Sequence, residues 1–75
     1  MSLHLVNDFN KHTIMKNIIL KKIAQTLIRL NIYNTSAEEA YREMINCSAR
    51  CFYNLCAIYH LTEEEENFVW SDQTA

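Results

Sequence analysis

Neither glycine nor proline occurs anywhere in this chain of 75 residues. Average usage would supply about five of the first and about four of the second. Glycine provides the positive φ of tight hairpin turns and the close backbone approach of phosphate-cradling loops and nucleophile elbows. Its absence argues against a β-rich fold and against every glycine-loop nucleotide site. Disorder is disfavoured too, because 49% of the residues are hydrophobic and 21% are charged. The expectation is a single small all-α domain over residues 1–75, a helical hairpin or three-helix unit. A domain this size buries only about 60% of the surface its unfolded chain exposes, so its core is marginal and self-association is a live option.

Periodicity places the helices. In the first, over 13–31, Ile19, Ile23, Leu27 and Leu30 share one stripe at 100° per residue, with Leu20 at its edge. Ile14, Ile18 and Ile28 lie outside that stripe, so a second side is apolar, and the helix is either central in the domain or shared with a partner. Asn10 and Thr13 both suit an N-cap, which leaves open whether 3–10 continues this helix or forms a short one of its own. Asn31-Ile-Tyr-Asn-Thr35 then breaks the pattern.

The second helix, over 36–60, opens on a capping box, Ser36-Ala-Glu-Glu39. Tyr41, Met44, Ile45, Ser48, Cys51, Phe52, Leu55, Ile58 and Tyr59 recur behind it at helical spacing. Glu39, Arg42, Glu43, Asn46, Arg50, Tyr53 and His60 form the polar face, and Glu38 can pair with Arg42 one turn on. Thr62-Glu-Glu-Glu65 repeats the cap for a short third helix over 63–70. Its first turn is acidic, and Phe68, Val69 and Trp70 pack it back, while 71–75 is expected to fray.

Charge is divided along the chain. Residues 1–33 carry five basic groups against Asp8, whereas 34–75 carry two arginines against seven glutamates and Asp72, for a net −2 overall. Such halves attract each other within a fold or between copies. The longest apolar stretch, 14–30, holds Lys16, Lys21, Lys22 and Arg29, too many charges for a membrane span. No basic region with an unbroken apolar run and cleavage site opens the chain, so no signal peptide is expected. Three cysteines within ten residues are odd in number and too close for a disulfide framework, which points to a reducing, cytoplasmic setting. Asn, Ile, Lys, Tyr and Phe make up 27 of the 75 residues, and their AT-rich codons fit a phage, a mobile element or a low-GC bacterium.

Chemistry-bearing groups are scattered. Cys47, Cys51, Cys56 and His60 are zinc-ligand types, yet on one continuous helix the two pairs project about 180° apart and cannot share an ion. Core packing is the ordinary reading of these cysteines. His4, His12 and His60 come with no nucleophile spacing, and Glu63 to Glu66 serve as an N-terminal charge cap. No cofactor, metal or catalytic set is expected.

Contact surfaces are the better candidates. Lys11, Lys22 and Arg29 fall together on the first helix, flanked by Lys21 and Gln25; the ordinary reading of such a face is solvation, and as a contact surface it suits an acidic protein. Nucleic acid is the weaker option, because the chain is acidic overall and Tyr33, Tyr41, Phe52 and Tyr59 lie mostly on apolar stripes instead of among the lysines. A helix-turn-helix reading fares no better, since Glu39 and Glu43 would repel phosphate beside Arg42 and Arg50. Tyr53 on the polar face and Trp70 near the C-terminus are typical protein-binding anchors, and Trp70 equally suits a cap on the small core. The functional expectation is a non-enzymatic helical interaction module, such as a phage or mobile-element inhibitor of a host protein, contacting its partner through Lys11, Lys22, Arg29, Arg50, Tyr53 and Trp70.

Overall fold

A computed structural model describes the backbone of residues 3–74 and the side chains of residues 11–72. Four helices follow one another: α1 (Leu3–Arg29), α2 (Ala37–Asn46), α3 (Ala49–Ile58) and α4 (Glu63–Thr74). No strand occurs among the described residues, so the all-α class is observed. None of the helices is long and apolar enough to cross a membrane.

The α1 helix runs unbroken from Leu3, so neither Asn10 nor Thr13 starts a helix. Its stripe of Ile19, Ile23 and Leu27 is buried against Ala40, Tyr41 and Met44 of α2, Phe52 and Cys56 of α3, then Tyr59, Leu61 and Val69. Leu30, expected on that stripe, is exposed instead because the helix ends at Arg29. The ending is a Schellman turn: Asn31 takes φ 59°, its N–H donates to Ile28 O at 3.0 Å, and the Ile32 N–H donates to Leu27 O at 2.8 Å. The α3 helix ends identically, with His60 at φ 58° donating to Ala57 O and Leu61 donating to Cys56 O. Without glycine, asparagine and histidine carry the left-handed positions.

The expected 25-residue second helix is in fact two. Cys47 and Ser48 are extended, and the Ser48 hydroxyl accepts the Cys51 N–H at 3.2 Å to cap α3. A serine that bonds the backbone three residues ahead offers the chain an alternative to continuing the helix. Ser36 caps α2 as expected, accepting the Glu39 N–H at 3.1 Å, but the Glu39 carboxylate accepts the Ser36 hydroxyl instead of reaching the serine N–H. At α4 the box is reciprocal: Thr62 Oγ1 accepts the Glu65 N–H, and Glu65 Oε1 accepts the Thr62 N–H. The α4 helix continues past the expected end at 70, because the Asp72 carboxylate accepts the buried Tyr41 hydroxyl at 2.6 Å.

Candidate functional site

With Ile19 and Ile23 turned to the core, the opposite side of α1 faces outward. Ile14, Ile18 and Ile28 are 57%, 44% and 63% exposed, which settles that α1 is not enclosed by its own domain. Lys11, Lys21, Gln25 and Arg29 are exposed around them. Lys22 departs from the expected cationic patch. Its ammonium turns inward to Glu65 Oε1 at 2.7 Å and also lies 3.5 Å from the carbonyl oxygen of His60. Burial pushes the Glu65 carboxyl up, but the Lys22 ammonium and the two Thr62 hydrogen bonds outweigh it and hold the group below its ordinary value. Lys22 is therefore a tie between α1 and α4, and the outward cations reduce to Lys11, Lys21 and Arg29.

A second face forms where α3 meets α4. Phe52 is buried, and the Trp70 ring lies 5.4 Å from it. Tyr53 packs edge-on against Phe52 and stacks on Trp70, with planes 12° apart and centroids 6.4 Å apart. Tyr53 stays 55% exposed and Trp70 40%. Glu63, Glu66 and Asn67 complete the groove beside these rings. Arg50 is exposed one helical turn before Tyr53. Thus the structure joins Tyr53 and Trp70, expected as separate anchors, and separates them from Lys11 and Arg29 on α1. Tyr33, expected on an apolar stripe, is 75% exposed and donates to Asn31 Oδ1. Among the described residues, Lys22 pairs with Glu65 and His12 Nε2 lies beside Asp72, whereas the expected Glu38–Arg42 pair is open.

A third grouping was not foreseen. His12 Nε2 lies 3.7 Å from Asp72 Oδ1, its ring meets Phe68 at 5.0 Å, and Asp72 Oδ2 holds the Tyr41 hydroxyl. Lys16 sits over the Tyr41 ring at 5.2 Å. Burial first, then the Asp72 bond and charge, raise the Tyr41 hydroxyl well above its ordinary value. Its proton is thus locked in a bond that ties α2 to α4, with α1 closing over it. Only a contact map, not spacing, links positions 12, 41 and 72.

The cysteines divide by depth. Cys56 is fully buried, and burial, with the charges of Glu66 and Cys47, pushes its thiol up to about 11. Cys47 and Cys51 are half-buried, and the Cys47 thiol donates to Met44 O at 3.3 Å. The break at Ser48 removes the straight-helix geometry from which the zinc argument began. Even so, no three His, Cys, Asp or Glu side chains converge to hold a metal among the described residues.

Comparison with known proteins leaves the surfaces to speak for themselves: no family model, no curated protein and no solved structure matches the chain.

Proposed function

We propose that the protein is a non-enzymatic interaction module that docks a protein partner through the Tyr53–Trp70 face of α3 and α4. The observation that carries this reading is the near-parallel stack of two partly exposed rings contributed by different helices. Each ring is held by Phe52 beneath it, so little side-chain freedom remains to be lost on binding. Rigid aromatic area at low entropic cost is what protein-binding hot spots use. Arg50 extends the face with a planar donor suited to a partner carboxylate. In its finer form, the module is a phage or mobile-element accessory that occupies a surface of a host protein and inhibits it. The AT-rich residue usage supports that origin.

The test immobilises the full chain and captures protein from a candidate host, in parallel with Tyr53→Ala and Trp70→Ala, circular dichroism confirming that both variants fold. Truncating either ring should cost about 2 kcal/mol or more of binding, some thirtyfold in affinity. Proteins retained equally by all three baits would overturn the choice of face.

The nucleic-acid reading predicts a duplex shift that weakens steeply with salt. The inward turn of Lys22 leaves it two of its three named cations, Lys11 and Arg29.

A further inference from the structure

We infer that the outer face of α1 is a self-complementary seam on which a second copy of this chain docks antiparallel. Positions 14, 18, 21, 25 and 28 are spaced 4-3-4-3, the repeat that keeps one face of a helix turned to a neighbouring helix. They are Ile14, Ile18, Lys21, Gln25 and Ile28, and all are exposed. Ile32, tied to the helix end by its bond to Leu27 O, adds a further apolar group, 37% exposed. On the helix itself the seam runs about 21 Å, from Ile14 to Ile28.

The order of residue types identifies the occupant. From Ile18 to Ile28 the pattern is isoleucine, two polar residues, isoleucine, with spacings that are the same in both directions about Ile23. A reversed copy centred there sets Ile18 against Ile28 and Lys21 against Gln25, each pair occurring twice about the axis. That is an isologous, closed contact, as twofold dimers require. The competing antiparallel register, centred between 19 and 20, would set Ile28 on Lys11 and Ile18 on Lys21, apolar against charged.

Charges agree with the first register. Glu64 borders the seam beside Lys11, Ile14, Met15 and Ile18. Reversal about Ile23 brings Arg29 of the second copy level with Asn17, near Glu64, on an edge that also carries Lys11. Lys22, which comes nearest its own mate across the twofold, already has its charge matched by Glu65. The seam lies on α1, whereas the Tyr53–Trp70 face is built on α3 and α4, so each surface stands or falls separately.

Sedimentation velocity on the full chain, from about 1 to 100 µM, the range in which small interfaces populate, reads the outcome. The expected species is twice the chain mass at the upper end, with Ile18→Glu and Ile28→Glu monomeric throughout and unchanged in helicity. Arg29→Glu should weaken the dimer about fivefold to tenfold through two symmetric pairs, and Arg29→Glu with Glu64→Arg should restore it. A monomer at every concentration overturns the proposal and leaves the seam to a different partner. A dimer indifferent to Ile28→Glu overturns it as well, and failure of the charge swap overturns the antiparallel register.

Discussion

At the residue scale, a chain without glycine meets a cost wherever a helix must end in the left-handed region. Asparagine tolerates that region because its short amide bonds locally, and histidine, though commoner there than most residues, still carries the Cβ that glycine lacks. His60 at φ 58° therefore marks a place where the native sequence is not at its stability optimum. Replacing it by glycine removes the Cβ clash while keeping both bonds of the turn. His60→Gly should raise stability by about 0.5–1 kcal/mol, a gain of about 2–8 °C in the thermal midpoint for a domain this size. Because the His60 side chain is exposed, little packing is lost. A midpoint that stays level or falls would show that the imidazole does more than occupy the turn.

At the element scale, the difference between one long helix and α2 plus α3 is a matter of one hydroxyl. The apolar positions from Tyr41 to Tyr59 stay in phase across the break, so periodicity reads straight through it. Ser48-Ala-Arg-Cys51 also lacks the Glu or Gln that makes a capping box visible at Ser36 and Thr62. The caps that carry that signature were legible, as were the core stripe of α1 and its second apolar side. Lys22–Glu65 and Tyr53–Trp70 were not, because each joins residues on different helices and no local pattern encodes which faces meet. Ser48→Ala should cost about 1 kcal/mol by orphaning the Cys51 N–H at the start of α3. Urea titration followed by circular dichroism reads this directly. If the break depends on that cap, helical content also changes, since α2 and α3 are then free to merge; an unaltered spectrum with unaltered stability would place the cause of the break elsewhere.

At the scale of the whole molecule, a small core needs specific ties between distant segments, and Lys22 with Glu65 is a charged one that joins α1 to α4. Glu65 is 6% exposed and accepts from the ammonium and from the Thr62 N–H with the same oxygen. Removing Lys22 leaves a buried carboxylate with part of its compensation gone, a larger penalty than losing a surface pair. Lys22→Met keeps the aliphatic stem and deletes the charge, and should cost about 1.5–3 kcal/mol at pH 7. The sign of the pH dependence follows from the carboxyl being held below its ordinary value in the fold. Its contribution is fully present above the unfolded carboxyl range near 4.5 and is lost as pH falls through the lower folded value. Wild type should therefore lose its advantage over Lys22→Met in acid, while the other carboxylates cancel in the comparison. Urea midpoints at pH 7 and near pH 3 measure the gap at both ends. A gap that narrows assigns the lysine to this tie, and with it one of the reasons the basic and acidic halves of the chain fold onto each other. A gap of constant size would mean that the loss in Lys22→Met does not come from the ammonium's charge on Glu65, since the aliphatic stem is present in both proteins.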